Sequence, residues 1–382
     1  MRIVPRSTHA AFIMPTRNRR ARVLETISRI ADTPGPDVEI VVADNASTDG
    51  SADEIERCFP DVPVLRMPTN RESAARNDAV GAAKSPVVVM LDDDSYPEPG
   101  ALELMIDALA DGRTGIAAAW VKLPGDTWEE GGAPCVHVGC GAAIPRELFL
   151  RLGGYPEIYG TYVEEYDLAF RVLAAGYDVR FVDGCVVRHE PQARSSFDFM
   201  VERLTANNVY LGWRFFPEND AHAFEEWNVY RYGVFARERG AHDGYARAIA
   251  ALEEKRRAGK RDRFELSNDV LDRVMPRRIA ARAFERMSVT RPISFLRAGK
   301  EIDALIAGAL DVGLSIEAIY DAGLLASESQ VSAIPIRPLS GAGTQSGSLV
   351  IGGLSPGFIA NTRALARERG LGDVLDLCGS GA

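Results

Sequence analysis

Along the first half of the chain, short apolar runs alternate with amphipathic stretches. Ala10–Met14 is apolar throughout, and Arg19–Ile30 then carries Val23, Leu24, Ile27 and Ile30 at helical spacing. Val38–Ala43 reads as a second buried strand, followed by a turn over Asp44–Asp49 and a helix from Ser51. The alternation continues with a strand over Val62–Arg66, an Ala-rich helix over Ser73–Ala83 and a strand over Pro86–Leu91. A helix with Leu102, Met105, Ile106 and Leu109 on one face follows. Continuously apolar strands separated by helices predict a mostly parallel sheet covered on both faces. Ligands of such sheets bind beyond the carboxyl ends of the strands. Three polar clusters fall there: Pro15-Thr16-Arg17-Asn18, Asp44-Asn45-Ala46-Ser47 and Asp92-Asp93-Asp94-Ser95.

Beyond this the pattern is mixed. Val136–Ile144 reads as a strand broken by Gly139 and Gly141, and Val163–Ala175 as a helix closed by Gly176. Asp178–Val182 and Cys185–His189 are two short strands, and Phe197–Phe216 is a long amphipathic segment. From about residue 218 the chain becomes helical and charge-rich, with two helices over Ala221–Arg257 and more amphipathic helix over Ile302–Leu325. Ser340–Ser348 is rich in Gly and Ser and reads as flexible, and a short helix follows over Gly357–Arg369. The expected organisation is an α/β domain over 1–217, a helical C-terminal extension over 218–338, and a Gly/Ser-rich linker and tail over 339–382.

Composition narrows the function. At 46% hydrophobic residues, the 382-residue chain can bury a sizeable core. Its 44 Lys and Arg against 54 Asp and Glu give a net charge of −10, which argues against nucleic acid as a partner. The five cysteines show no CxxC spacing and read as buried thiols of a reducing compartment. No apolar run is long enough to span a bilayer, so the expected location is cytoplasmic, with membrane contact peripheral at most. The charge run Glu253–Arg263 is most simply a solvated face.

The polar clusters carry candidate chemistry. Three adjacent carboxylates, Asp92, Asp93 and Asp94, repel one another unless a cation is present, and hard oxygen ligands suit Mn2+ or Mg2+. The bland alternative is an acidic surface turn. A carboxylate at Asp44 can accept the imide N–H of a uracil. Pro15, Thr16 and Arg17 end the first strand with donors for a nucleotide, and Arg76, with Asn70 just before its helix, could offset diphosphate charge. Glu164, Glu165 and Asp167 crowd the start of one helix. The helix dipole favours them there, and one could act as a general base. His189 ends a strand beside this acid and is a candidate metal ligand.

In order and spacing, these segments resemble glycosyltransferase family 2, the inverting nucleotide-sugar enzymes of the GT-A fold. FIMPTRNR is similar to the family's first strand and nucleotide loop, and VVADNASTDGS to its second strand, whose final Asp binds the base. NRESAARNDAVGAAKSPVVVMLDDDS is similar to the approach to the DxD motif, and residues 139–182 to the acceptor segment with its ED-x-D-L helix. The resemblance covers about residues 10–217. It implies a GT-A type nucleotide-sugar-binding fold with a mostly parallel central sheet plus a helical C-terminal extension. It further implies Asp44 at the base, Asp92 or Asp93 near the ribose, Asp94 and His189 on the metal, and Glu165, with Glu164, as the base. Gly139, Gly141 and Asp167 would meet the acceptor. Two departures stand out. Glu165 replaces the family's usual Asp, and Asn207-Asn208 stand where many relatives have Arg-Asn.

The expected activity is inverting, metal-dependent transfer of a sugar from a nucleoside diphosphate sugar, UDP or dTDP type favoured, to a hydroxyl of a saccharide or natural product. The rivals are a nucleotidyltransferase that makes a nucleotide sugar, though PTRNR lacks the glycines it would want, and a catalytically silent nucleotide-sugar-binding protein. Homodimerisation, acceptor selection and membrane-surface docking are the roles open to the C-terminal helices.

Overall fold

β1 (Ala10–Thr16) is the axis about which the first half is built. The computed structural model describes residues 10–191 and 196–378, and the chain divides into two compact units, 1–193 and 194–382. In chain order the first unit runs β1, α1 (Arg20–Asp32), β2 (Glu39–Asp44), α2 (Ser51–Cys58), β3 (Val64–Arg66), α3 (Ala75–Ala82), β4 (Val87–Met90), β5 (Ser95–Pro97), α4 (Ala101–Leu109) and β6 (Thr114–Lys122). It ends with β7 (Ala142–Pro145), α5 (Arg146–Arg151), α6 (Glu164–Ala174) and β8 (Asp178–His189).

These eight strands form one sheet in the order β3-β2-β1-β4-β7-β6-β8-β5. β3, β2, β1 and β4 are parallel, as the continuous apolar runs predicted, while β7 is antiparallel to both of its neighbours. The expected α/β sheet is present, parallel through β3-β2-β1-β4 and mixed beyond, where β6 and β8 are parallel and β5 is antiparallel to β8. Val23, Ile27 and Ile30 of α1 pack with Phe12, Met14, Ile40, Val42 and Val89 of the sheet, and Leu102 and Met105 of α4 join the same core. Each such side chain contributes roughly 1.5–3 kcal/mol of burial.

Register sets the site. Thr16 pairs with Asp44, and Ile13 pairs with Met90, so the three polar clusters emerge at one edge of the sheet. β5 then folds back antiparallel on the end of β8, pairing Ser95 with His189. That single ladder brings His189 beside the acid triplet from nearly a hundred residues away. β8 is one continuous strand where two were expected. Asp183 and Gly184, which fall between the two expected strands, sit in a register irregularity against β6, with Gly184 at φ +73. The strand expected over Val136–Ile144 shrinks to β7, because Gly141 at φ +81 leaves the extended region just before it.

The second unit opens with helices near the expected segments, α7 (Phe197–Phe215), α8 (Glu218–Arg239) and α9 (His242–Arg261), and adds α10 (Asn268–Val274) and α11 (Pro276–Arg286), for which no individual helix was expected. A six-stranded sheet that the sequence reading did not anticipate follows them. It comprises β9 (Ile293–Leu296), β10 (Ile316–Asp321), β11 (Gln330–Val331), β12 (Ile334–Pro338), β13 (Leu349–Ile351) and β14 (Val374–Leu375), in the order β11-β12-β10-β9-β13-β14. Two helices, α12 (Ile302–Asp311) and α13 (Pro356–Glu368), connect it. The helix expected over Ile302–Leu325 therefore ends at Asp311 and gives way to β10. ISFL and IEAIYD are short buried runs, and periodicity alone does not separate such runs from buried helix. Ser340–Ser348, expected to be flexible, is tied down at its end, where Ser348 and Thr290 exchange two hydrogen bonds of 2.8 and 2.9 Å. No helix among the described residues is long and apolar enough to cross a membrane.

Candidate active site

The acid triplet leaves β4 through Leu91, and its three side chains take different environments. Asp93 turns inward and is fully buried. It accepts a hydrogen bond from Thr16 Oγ1 at 2.8 Å and pairs with Arg19, and Thr26 Oγ1 donates to its carbonyl at 2.7 Å. Burial, opposed by Arg19, pushes its carboxyl up to about 7. Arg19 also forks onto Asp94, with both terminal nitrogens 3.0 Å from Oδ2. Asp92 is ion-paired with the buried Arg76. Two arginines thus relieve the repulsion that the sequence made conspicuous.

The oxygens that the arginines do not hold face His189. Its Nε2 lies 3.4 Å from Asp94 Oδ1 and 3.9 Å from Asp92 Oδ2. Its Nδ1 is 2.7 Å from Glu129 Oε2, which fixes the ring so that Nε2 points at the acids. Burial lowers the affinity of His189 for its proton, but hydrogen bonds to Asp94 and Glu129 outweigh that and carry it up to about 10. Burial raises Asp94, and contact with His189 and Arg19 more than offsets this, holding it below the ordinary carboxylate range. Asp92, Cys140 and His189 each present a ligand atom, all within 4.8 Å of one another. Ligand atoms about 2.1 Å from a small divalent ion lie about 3 Å apart, so carboxylate oxygens and an imidazole nitrogen at 3.4 and 3.9 Å fit such an ion with little movement.

Asp44 sits at the end of β2, 4% exposed. Its Oδ2 accepts the Ser47 N–H at 3.1 Å, and its Oδ1 has no hydrogen-bond partner. Asn45 ties this corner to the next segment, with Nδ2 donating to the Glu72 carbonyl at 3.1 Å and Oδ1 accepting from Arg71 N–H at 3.0 Å. Arg17 is exposed and Thr16 buried on Asp93, while the Asn70 side chain is used locally, accepting from Glu72 N–H at 3.0 Å.

α6 begins under strain. Tyr162 and Val163 both take left-handed backbone, φ +72 and +80, and a β-branched residue there is a true outlier. The kink carries Glu164 inward, where it is 4% exposed and its Oε2 has no hydrogen-bond partner. Burial, and then the charge of Glu165, raise its carboxyl well above the usual range. Glu165 lies against Gly139: a Cβ at that glycine would come within 2.6 Å of Glu165 Oε1. Gly141 is required by its own φ and by Val187, which a Cβ would meet at 3.0 Å. Asp167 is fully buried, bonded to Tyr159 Oη at 3.0 Å and to Arg171 Nε at 2.6 Å. The charges of Asp92, Glu164 and Glu165 all act on Arg76, so the acid triplet and the start of α6 share one crevice.

Residues 11–152 match the family described as Glycosyl transferase family 2. Those residues are a family 2 glycosyltransferase domain. A curated relative, an uncharacterized glycosyltransferase of Haemophilus influenzae, is 23% identical, with 43% of this chain and 61% of that protein aligned. The chain thus spans about three-fifths of that relative's length. Among solved structures, the mannosyltransferase PcManGT from Pyrobaculum calidifontis, in complex with GDP-Man and Mn2+, is similar at a TM-score of 0.47 and 22% identity, over 65% of this chain and 77% of that one. GalNAc-T7 with UDP, GalNAc and Mn2+ gives 0.47 and 14%, over 65% and 56%. TarS 1-349 of S. aureus with UDP gives 0.44 and 14%, over 67% and 93%.

The family 2 match ends before α6 and β8, so Glu164, Glu165 and His189 are tied to it by geometry alone. Sequence reasoning missed Arg19, Glu129, Cys140 and the buried pair His137 and Tyr155, whose ring nitrogen Nε2 and hydroxyl lie 3.4 Å apart beside Arg76. Arg19 is one of four arginines within six residues, Glu129 lies in a loop, and Cys140 resembles any buried thiol. No spacing rule marks them.

Proposed function

We propose that this chain is an inverting, metal-dependent glycosyltransferase that moves a sugar from a nucleoside diphosphate sugar to a hydroxyl of a saccharide or small natural product. The observation that carries this reading is the convergence of Asp92, Asp94 and His189 at the carboxyl edge of the sheet, beside Asp44. Mn2+ or Mg2+ held by Asp94 and His189 would neutralise charge on the departing diphosphate. The unpartnered Asp44 Oδ1 can accept an imide N–H, which favours a UDP or dTDP donor.

Glu165 takes the proton of the acceptor hydroxyl. The acceptor oxygen bonds to the anomeric carbon as the bond from that carbon to the diphosphate oxygen breaks on the opposite face. The configuration inverts, and the nucleoside diphosphate leaves with the bonding pair. Glu164 retains its proton through burial and the neighbouring charge, which leaves the base role to Glu165. Gly139 gives the Glu165 carboxylate its room.

A thermal-shift panel of nucleoside diphosphates with and without Mn2+ tests the reading, together with donor turnover in Glu165→Gln. Stabilisation by UDP or dTDP that depends on Mn2+, and turnover lost in Glu165→Gln while that stabilisation persists, is the expected result. No response to any nucleoside diphosphate overturns it.

A further inference from the structure

Cys140 stands in unusual company for a buried cysteine. It is 1% exposed, and the charges that act on its thiol are those of Asp92, Glu129, Asp94 and Arg76. Cys185, also buried, shows the ordinary fate: its Sγ donates to the Ala101 carbonyl at 3.3 Å, away from any charge. Cys140 Sγ has no such carbonyl and instead lies within 4.8 Å of a carboxylate oxygen of Asp92 and a ring nitrogen of His189. The backbone explains the aim. Cys140 stands between Gly139 and Gly141, and Gly141 at φ +81 turns the chain into β7, with its N–H bonded to the Met90 carbonyl at 2.7 Å and its carbonyl accepting from Ala119 N–H at 2.8 Å. The residue before Gly141 is thereby fixed at the end of β4, where the acid triplet begins.

We infer that Cys140 is a ligand of the divalent ion in this site, completing a set with Asp92, Asp94 and His189, and that the ion is one that accepts sulfur. The inference rests on the metal dependence proposed above and sharpens it. A thiolate is a poor ligand for Mg2+, which prefers oxygen, and a good one for softer first-row ions. With one sulfur, one imidazole and carboxylates, the site selects Co2+ or Zn2+ over Mg2+. On binding, the thiol gives its proton to solvent and its sulfur lone pair to the ion, with no change of oxidation state.

The experiment is Co2+ titration of the full chain, with and without UDP, followed by absorption, alongside Zn2+ and Mg2+ affinities for the wild type and Cys140→Ser. Expected is a near-ultraviolet sulfur-to-cobalt charge-transfer band in the wild type that is absent in Cys140→Ser. The variant should also lose about tenfold or more in Zn2+ affinity while its Mg2+ affinity stays within error. Visible cobalt d–d absorption without the charge-transfer band, or an equal loss for Zn2+ and Mg2+, overturns the assignment of Cys140 and leaves the metal reading standing. A band that survives in Cys140→Ser also overturns it, by assigning the sulfur to another cysteine. Failure of the wild type to bind any of the three ions overturns both readings.

Discussion

Arg19 holds Asp94 by a two-nitrogen fork on one oxygen, Oδ2, and leaves the other, Oδ1, facing His189 at 3.4 Å. The same guanidinium pairs with the fully buried Asp93. One side chain thus positions two members of the acid triplet, Asp93 and Asp94, while Arg76 holds the third.

Replacing Arg19 with Gln leaves the Asp93 carboxylate buried without its cation. Breaking a buried ion pair from one side costs about 3 kcal/mol or more. Urea denaturation of Arg19→Gln should show a loss of that order, with Arg19→Lys in between because an ammonium cannot reproduce the fork. An unchanged midpoint would mean that Arg19 does not support the triplet.

Gly139→Ala places a methyl group where Glu165 Oε1 now lies, at 2.6 Å. Displacing a reacting group by about 1 Å can cost about a hundredfold in rate. Turnover should fall between tenfold and about a hundredfold while the UDP-induced thermal shift is retained, because the glycine does not touch the Asp44 corner. Full activity in this variant would separate Glu165 from the chemistry.

Glu129 orients His189 through the 2.7 Å contact at Nδ1. Removing such a support typically weakens metal binding by about tenfold or more. Calorimetric Mn2+ titration of Glu129→Gln should show that loss with little change in melting temperature, since the Glu129 side chain is 28% exposed. Equal Mn2+ affinity in the two proteins would place the ion away from His189.

In the second unit, Asp303 near the start of α12 has a buried oxygen without a hydrogen-bond partner, and burial pushes its carboxyl from 3.8 up to about 8. The folded chain therefore holds this proton across a range where the unfolded chain has lost it. Stability from this group is full below about pH 4 and declines as pH rises to about 8. Asp303→Asn removes that slope. Denaturation at several pH values should find the variant gaining on the wild type from pH 4 to pH 8, and parallel profiles would show that Asp303 titrates normally.

The parallel core of the first unit was legible because Ala10–Met14, Ile40–Ala43 and Val87–Met90 are continuously apolar and α1 repeats at helical spacing. The acid triplet was legible because three like charges after a buried strand are costly alone. The partners that resolve the charge were not: Arg19 and Arg76 act through fold-dependent contacts, and His189 arrives only through the β5–β8 ladder. The second sheet was hidden for a different reason. Its strands are two to six residues long, too short to declare a period of two against the longer helices around them.

The counter-charges around the triplet have a consequence for how the protein is handled. Arg19, Arg76 and a protonated His189 already balance the acids, so folding does not wait on an ion. The proposed ion is then a visitor rather than a rivet. A chelator should silence the protein without unfolding it, and returning the ion should restore it within the time of mixing.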